Sequence, residues 1–479
     1  MAEENVFFMP VRNICRRDVA TCSPDDSLVE MAALMRERRI SSLVVCRGDE
    51  PIGIFTDRDL RNKVVAAGRD PADLKVGEIM NSPLITVREE DFLFEVLYRM
   101  SRHDIHRVCV VEDDGGLCGI ITDSDILHLQ LRSPQKMLRD IEQAETMGEL
   151  GSLHRQIQDL VVHLVDTRVA TADLVRMIAH LNDRLQIRLI SLLRETRFPD
   201  LTDRFAFLVL GSEGRREQTL TTDQDNAIVY SDDVSGEELK QIEDFSQALI
   251  ESLVEMGVPP CPGKIMANNP FWRRSLSEWT TVVDNWMSTP TSENILNGSM
   301  FFDLRTLHGE RSFEEKLKSH LESHLADDDV FLARTAINTL GFKPPIGLFG
   351  RLKTEKKGDH YGEIDIKKAG IFAITEGVKV LALEAGLLPG GTRERLQILL
   401  DRGLLKQQQA RDLKASYDFL VHLRLRNQVR AIHEGHEPNN FISLDHLNRM
   451  EKGRLKLALK EVKFFQNYLE RHFQTHLIS

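Results

Sequence analysis

Two aspartates separated by a single residue, Asp223 and Asp225, stand out because their spacing could create a metal site. If they lie on a strand, both side chains point to the same face, since alternate strand residues do so. Two ionised carboxylates held a few ångströms apart would repel each other strongly. A divalent cation relieves that repulsion, and Mg²⁺ prefers oxygen ligands such as carboxylates and substrate phosphates. The pair therefore predicts a site for Mg²⁺ (or Mn²⁺).

A glycine-rich turn, Gly211-Ser212-x-Gly214, precedes this pair. Backbone N–H groups beside glycines can approach a phosphate closely, and the start of a helix adds partial positive charge. The apolar runs FAFLVL and DNAIVY on either side predict buried strands, and RREQTL predicts the start of a short helix. These elements would place a phosphate-binding turn beside paired carboxylates, which is the equipment that nucleotidyl transfer needs.

The stretch resembles the nucleotidyltransferase superfamily that includes the polymerase β-type enzymes. It is most similar to the N-terminal domain of protein-PII uridylyltransferases and to a related CBS-linked branch. The pattern G-S-x-G-R-x-E-x5-D-x-D is matched by Gly211, Ser212, Gly214, Arg215, Glu217, Asp223 and Asp225. The resemblance implies that the two aspartates are catalytic and bind metal. It also implies nucleotide or phosphate contacts from Gly211, Ser212, Gly214, Arg215, Glu217 and Lys264. A coincidental acidic turn and an inactive copy remain alternatives.

The superfamily uses a third carboxylate on a later strand, and Asp303 in MFFDLRTLHG is the candidate. Its apolar neighbours predict a strand, with Arg305 on the same face. Beside Asp223 and Asp225, Asp303 would complete a two-metal site and could act as general base. A surface pair between Asp303 and Arg305 is the alternative, and Asp284 is the second candidate for the third carboxylate.

The segment CPGKIMANNPFWRRSLSEW lies between these motifs. Lys264, Arg273 and Arg274 could neutralise a triphosphate, and Trp272 could stack on a base. Trp272 and Trp279 fit a hydrophobic core equally well.

The N-terminal part contains an internal repeat of one folding unit, since PIGIFTDRDL aligns with LCGIITDSDI. Each copy predicts the order strand, helix, strand, strand, helix. The shared G-h-h-T-x-x-D signature resembles the CBS-domain pair (Bateman module) over residues 8–130. The resemblance implies adenosine-type ligands, with Thr56, Asp59, Thr122 and Asp125 as contacts. The alternative is that each threonine and aspartate only cap the following helix.

Apolar residues three and four apart predict a helical linker over 131–200 and a C-terminal helical domain over 326–479. Between them, residues 201–325 would form the nucleotidyltransferase core. The predicted fold class is therefore multidomain α/β and α: a CBS pair, a helical linker, a polymerase β-type α/β core and a helical domain. A loop over 344–370 is rich in glycine and lysine, and it is either solvated surface or a contact for nucleotide phosphate or acceptor.

The 479 residues carry a formal net charge of −12, with 42% hydrophobic and 28% charged residues. This composition excludes wholesale disorder, and the acidic balance argues against general nucleic-acid binding. The sequence contains no apolar run of the ~18–20 residues that a membrane span needs, and its N-terminus does not resemble a secretory signal. Six cysteines without a CxxC pair fit the reduced thiols of a cytoplasmic protein.

Together these features predict a metal-dependent enzyme that moves a nucleoside monophosphate from a nucleoside triphosphate to an acceptor hydroxyl. Adenine nucleotides at the CBS pair would regulate it. The uridylyltransferase resemblance implies UTP and a protein acceptor, although no obvious HD-type domain is present, and ATP with a small molecule stays open. The alternatives are a catalytically silent adenylate sensor and RNA 3′-end addition, which the acidic charge disfavours. A homodimer is expected by resemblance to other CBS pairs.

Overall fold

The computed structural model describes residues 10–48, 50–112, 114–126, 134–165, 169–220, 223–325, 329–347, 351–387 and 390–477. The chain divides into two compact units, Met1–Lys136 and Met137–Ser479. The domain boundaries predicted at residues 8, 130 and 326 fall outside the described residues, so they stay predictions.

In the first unit, each copy of the repeat forms a three-stranded sheet with its own helix. The first copy consists of β1 Thr21–Cys22, α1 Leu28–Arg38, β2 Ser42–Arg47, β3 Glu50–Thr56 and the turn α2 Asp57–Asp59, which continues as π-helical Leu60–Val65. The second consists of β4 Thr86–Arg88, α3 Leu93–His103, β5 Arg107–Val111 and β6 Leu117–Thr122. In both, the first strand is parallel to the second and the second antiparallel to the third.

Each copy buries its own apolar core. In the first copy, Leu28 of α1 packs with Leu43 of β2 and Phe55 of β3, and all three are fully buried. In the second copy, Val96 of α3 and Ile121 of β6 do the same. The predicted repeat is confirmed.

The second unit opens with the helices α4 Pro134–Gln143, α5 Met147–Val165 and α6 Thr171–Thr196, the first of which begins before the unit boundary. A four-stranded sheet follows in the order β10-β7-β8-β9. Its strands are β7 Phe205–Val209, β8 Asn226–Tyr230, β9 Arg273–Ser275 and β10 Arg305–Gly309. The helices that cover it are α7 Gly211–Gly214, α8 Gly236–Glu255, α9 Leu276–Ser288, α10 Ser292–Phe301 and α11 Ser312–Leu325.

The central strand β7 is buried on both faces, which explains its uninterrupted apolar sequence. Phe205 and Phe207 pack in a cluster with α6 and α8, whereas Ala206 and Leu208 pack in a second cluster with α9 to α11. This division follows the two-residue period of a strand. β7 pairs antiparallel with β8 and β10, and β8 pairs parallel with β9.

Trp272, Trp279 and Trp286 form the centre of the second cluster. Trp272 is 2% exposed, and its ring centroid lies 5.9 Å from that of Trp279 and 6.1 Å from that of Trp286. The predicted stacking of Trp272 on a nucleotide base is therefore wrong, because the ring is enclosed by the core. The indole N–H of Trp279 donates to the carbonyl of Ile228 at 2.9 Å, which fastens α9 to β8.

The C-terminal part is mainly helical, as predicted. It comprises α12 Asp329–Leu340, β11 Glu363–Asp365, the π-helical turn Lys367–Ile371, α13 Phe372–Glu384, α14 Thr392–Asp401, α15 Gln407–His433, β12 Phe441–Ser443 and α16 Arg449–His472. Its core includes Val161 of α5 and Leu174 of α6, while Leu153 and Leu189 of the same helices pack under the sheet. Helices α5 and α6 are thus part of both cores and are more than a spacer.

Among the described helices, none combines the length and apolar character that crossing a bilayer requires. The six cysteines are all free thiols.

Candidate active site

The carboxylate pair lies directly before β8, not on it. Asp223 and Asp225 precede the first strand residue, Asn226, so the expectation that a strand aligns them is corrected. The backbone carbonyl of Asp225 accepts a hydrogen bond from the N–H of Leu210 at 2.8 Å, at the end of β7. This bond holds Asp225 beside the glycine-rich turn that follows Leu210.

The structure brings that turn and Asp225 together. Gly211 has a φ of 50°, and a Cβ atom there would lie 3.4 Å from the Asp225 carboxylate and 2.6 Å from Cε of Met300. Glycine is therefore required, both for the left-handed backbone and for the close approach. The short helix α7 covers only Gly211–Gly214, so the prediction that a helix begins in RREQTL is wrong, because the helix has ended before Arg215. Ser212, on α7, is partly exposed.

Burial makes Asp225 unusually basic for a carboxylate. It raises the pKa of Asp225 to about 6, with a hydrogen bond from the Cys261 thiol lowering it and the charge of Asp223 raising it. Burial and the nearby Asp225 also raise the pKa of Cys261 to about 11, so the thiol keeps its proton and remains a donor. Neither Asp223 nor Asp225 forms an ion pair with a described residue. Their negative charge is available to a cation.

A third carboxylate, Glu213, lies behind this pair. Its burial, followed by the charges of Asp225 and Asp183, raises the pKa of Glu213 to about 8. The amides of Gln218 and Gln186 donate to its Oε1 at 2.7 and 3.3 Å. Glu213 is therefore mostly protonated near neutral pH, which keeps a further negative charge away from Asp225.

Two cationic side chains of the C-terminal part face the carboxylate pair, and sequence reasoning missed both. Lys367 interacts electrostatically with Asp223 and Asp225, and desolvation and the nearby Arg424 lower its pKa. Desolvation also lowers the pKa of Arg424 to about 10, with Asp223 among the groups that oppose this. Lys367 lies near the end of the loop predicted over 344–370, which gave a weak signal, whereas Arg424 is one of many charged residues on the long helix α15.

Asp303 does not occupy the position that the sequence predicts. It lies in the turn between α10 and β10, and its side chain is fully buried. Its carboxylate accepts from Arg395 at 2.8 Å and from Lys379 at 2.7 Å, and also binds Arg215. Burial alone would raise the pKa of Asp303, but these three cations hold it below its ordinary value. A carboxylate so occupied fits neither a metal ligand nor a general base.

The two alternatives for the third carboxylate are also corrected. Arg305 does not pair with Asp303, because its guanidinium donates to Asp183 at 2.8 Å and to the carbonyl of Glu213 at 3.0 Å. Asp284 lies on α9 and contacts a histidine of α11.

Three residues of the glycine-rich motif contact protein groups where phosphate contacts were predicted. Arg215 donates to Glu217 at 2.9 Å. Glu217 in turn accepts from the backbone N–H of Thr392 at 2.6 Å and from its hydroxyl at 3.0 Å, at the start of α14. A Cβ atom on Gly214 would lie 1.8 Å from the backbone oxygen of Asp303, so this glycine permits tight packing. For Gly211, Ser212 and Lys264, the contact with phosphate stays a prediction.

Of the three basic residues in the segment after Cys261, two contact protein groups and one does not. Arg273 is buried and donates to Glu243 at 3.1 Å and to the carbonyl of Ala267 at 3.1 Å, so it supports the fold. Arg274 lies over the ring of Phe271 at 5.0 Å. Lys264 is exposed, and its side chain has no bonded partner in the described part of the chain.

A cavity of about 530 Å³ opens in the C-terminal part beside the π-helical turn that carries Lys367. Four lysines line it, Lys343, Lys353, Lys357 and Lys368, together with four acidic residues, Glu355, Asp359, Glu363 and Asp365. Lys353 and Lys357 belong to the loop predicted to contact phosphate or acceptor. The lining carries charges of both signs in equal number, so the cavity is suited to a polar ligand.

In the first unit, the threonine and aspartate of each CBS signature cap a helix. The Thr56 hydroxyl accepts from the N–H of Asp59 and donates to its carboxylate at 2.6 Å, and Thr122 and Asp125 repeat this geometry. The Asp59 carboxylate also accepts from the amide of Asn81 at 2.8 Å. The predicted capping of the helices is therefore observed. A ribose that bound to Asp59 or Asp125 would have to do so while these carboxylates keep their hydrogen bonds to the capping threonines.

The groups around Asp225 fit a hard divalent cation. Asp223 and Asp225 supply carboxylate oxygens without an ion-pair partner among the described residues. Burial penalises the unbalanced charge of Asp225, and a cation would remove that penalty.

Comparison with known proteins accounts for most of the chain. Residues 11–66 and 76–132 match the CBS domain, residues 155–293 match the family described as "Putative nucleotidyltransferase DUF294", and residues 329–473 match the "Putative nucleotidyltransferase substrate binding domain".

Three similar proteins share about a quarter of the chain. An uncharacterized protein of Methanopyrus kandleri is 44% identical over 121 residues, which cover 25% of this chain and 62% of that protein. Hypoxic response protein 1 of Mycobacterium tuberculosis is 34% identical over 116 residues, covering 24% of this chain and 80% of that protein. The crystal structure of an uncharacterized conserved protein from Pyrococcus horikoshii is 32% identical, with a TM-score of 0.25, and covers 26% of this chain and 96% of that one.

The order of the matched families reproduces the order of the elements described above: two CBS copies, a core with a glycine-rich turn and a carboxylate pair, and a helical C-terminal part. The chain therefore belongs to the CBS-linked nucleotidyltransferase family, with a CBS pair ahead of a nucleotidyltransferase domain and its substrate-binding domain.

Proposed function

We propose that the protein is a metal-dependent nucleotidyltransferase that moves a nucleoside monophosphate from a nucleoside triphosphate to a hydroxyl on a protein or small molecule. The observation that carries this proposal is the pair Asp223 and Asp225, which lies at the glycine turn without an ion-pair partner among the described residues. In the same core, Asp303 and Glu217 are fully engaged by protein groups.

The residues around the pair can be given roles. Ser212 and the backbone of Gly211 would contact the triphosphate, and Lys367 and Arg424 would offset the charge that develops on the departing pyrophosphate. Asp223 and Asp225 would hold Mg²⁺ (or Mn²⁺), which would neutralise phosphate charge when bound. The acceptor oxygen forms a bond to the α-phosphorus as the bond to the β-phosphate bridge breaks. The acceptor proton passes to solvent water as the bond forms, because the cation would occupy the carboxylates of Asp223 and Asp225.

The cavity of about 530 Å³ in the C-terminal part suggests where the acceptor binds. It lies within residues that match the substrate-binding family, and its four lysines and four carboxylates favour a polar acceptor. We further propose that adenine nucleotides at the CBS pair regulate the reaction. Thr56, Asp59, Thr122 and Asp125 would be the contacts, in a protein that acts as a homodimer.

Equilibrium binding of ATP and UTP, with and without Mg²⁺, tests the proposal. The Asp223→Asn/Asp225→Asn variant should lose the Mg²⁺-dependent binding and any transfer of a labelled nucleotide. A variant with alanine at Thr56, Asp59, Thr122 and Asp125 should keep both. Asp244→Asn, at an exposed position of α8, is the matched control for loss of one negative charge.

A second candidate function is a catalytically silent adenylate sensor. The engagement of Asp303 favours it, because Arg215, Lys379 and Arg395 occupy the carboxylate that was expected to complete the metal site. In that case all nucleotide binding would be independent of Mg²⁺ and would disappear only in the CBS variant.

A further inference from the structure

We infer that Asp284, His320 and His324 bind one transition-metal ion of the Zn²⁺ class, at a site separate from Asp223 and Asp225. Asp284 lies on α9, and the two histidines lie on α11. One ligand atom from each residue can be chosen so that all three lie within 4.8 Å of one another. Small adjustments of rotamer would bring these atoms to the separations found in a metal coordination shell.

The geometry of the two histidines favours a common ligand. They are four residues apart on α11, so they lie on one face of the helix. Their ring centroids are 4.4 Å apart. Oδ1 of Asp284 lies 2.6 Å from Nε2 of His320 and 3.4 Å from Nε2 of His324. Both Nε2 atoms therefore converge on one carboxylate oxygen.

The tautomer of His324 is set for metal binding. Its Nδ1 lies 2.9 Å from the backbone carbonyl oxygen of His320. A carbonyl can only accept, so Nδ1 carries a proton, and Nε2, which faces Asp284, is the nitrogen through which His324 would bind a metal. Metal-bound histidines characteristically donate their second ring nitrogen to a carbonyl or carboxylate in this way.

The helices behind the cluster form a rigid support. Trp279 and Val283 of α9 pack in one core with Leu317 and Leu321 of α11. The side chain of Asp284 is 48% exposed, so an ion has access from solvent. Two imidazoles and one carboxylate suit Zn²⁺, Co²⁺ or Ni²⁺ and leave a position for water, whereas Mg²⁺ prefers oxygen ligands alone. The bound ion would join α9 to α11.

Calorimetric titration of Zn²⁺ into the metal-free, tag-free full-length protein tests the inference. We expect about one equivalent to bind at the histidine site, with an increase in Tm that a chelator reverses. His320→Ala/His324→Ala should weaken this binding at least tenfold, and Asp284→Asn should weaken it less. His433→Ala/His436→Ala, which removes two histidines at the end of α15, should leave it unchanged.

The carboxylate pair provides the second control. If Zn²⁺ binding survives in Asp223→Asn/Asp225→Asn and is weakened in His320→Ala/His324→Ala, the ion is at the histidine site. The inference is overturned if wild type shows no saturable binding, or if His320→Ala/His324→Ala binds Zn²⁺ as tightly as wild type. Because the double alanine variant could unfold, its urea midpoint without metal is compared with wild type. The visible spectrum of bound Co²⁺ in wild type and Asp284→Asn reports independently on the ligand set.

Discussion

The carboxylate of Asp303 lies 2.7 Å from the ammonium of Lys379, and both side chains are shielded from solvent. Asp303 belongs to the nucleotidyltransferase core and Lys379 to α13 of the C-terminal part. Arg215 and Arg395 bind the same carboxylate. The residue expected at the metal site is thus the centre of an ionic contact between the two parts.

Asp303→Asn should destabilise the protein by about 3–5 kcal/mol, because it leaves three buried cations with too few anions. Urea denaturation measures this loss, and Asp244→Asn on the surface of α8 should change the midpoint little. Folded Asp303→Asn should still bind nucleotide with Mg²⁺. Normal stability combined with lost Mg²⁺ dependence would instead make Asp303 a metal ligand.

Gly214→Ala should destabilise the protein by at least about 2 kcal/mol, because the added methyl group would overlap the backbone oxygen of Asp303. Gly236→Ala is the matched control, since nothing lies within 4 Å of a Cβ atom at that position of α8. Thermal unfolding of both variants checks the prediction. Equal Tm values would show that the backbone at Gly214 moves freely and does not require glycine.

Glu213→Gln should change how stability depends on pH. The folded protein keeps the Glu213 proton up to a pH of about 8, whereas the unfolded chain releases it near the ordinary value of 4.5. The stabilising contribution of Glu213 is therefore complete below pH 4.5 and is lost as the pH rises to about 8.

Glutamine imitates the protonated form, so the variant should lose less stability over this range. We expect the difference from wild type to grow by on the order of 1 kcal/mol or more across it. Urea midpoints measured at several pH values provide the test, with exposed Glu237→Gln as control. Parallel curves for Glu213→Gln and wild type would show that Glu213 titrates normally.

Thr56→Ala/Asp59→Ala should separate capping from ligand binding at the CBS pair. Loss of the capping box should cost about 1 kcal/mol in the first unit. Ser235→Ala removes a similar capping box, with Glu238 on α8, and should have a comparable cost. If Asp59 also contacts adenine nucleotides, only the CBS variant should bind ADP and ATP more weakly, as fluorescence or calorimetric titration would show. Unchanged affinity would leave Thr56 and Asp59 with the capping role alone.

Local motifs are the part of this protein that its sequence reveals well. The glycine turn Gly211–Gly214 ends nine residues before Asp223 in the chain, so their proximity follows from one strand end and one turn. The CBS repeat is also predictable from sequence. Each copy buries its own core with apolar residues that are spaced as strands and helices require.

Contacts between distant segments could not be read in the same way. Glu217 lies six residues before Asp223, yet its partner Thr392 is 175 residues away. Asp303 sits between large apolar residues, a pattern that fits a strand as well as the buried turn in which it lies. Neither pattern nor propensity indicates which of the many arginines and lysines of the C-terminal part would meet these acids.

The ionic contact around Asp303 makes the core and the C-terminal part depend on each other's charges. Its charged members are Arg215, Glu217 and Asp303 from the core and Glu376, Lys379 and Arg395 from the C-terminal part. One cation and two anions on the first side give −1, and one anion and two cations on the second give +1. A chimera that joined this core to the C-terminal part of a relative would fold only if the relative brought the complementary charge. Recombination within the family should therefore move both parts together, while the CBS pair lies outside this constraint.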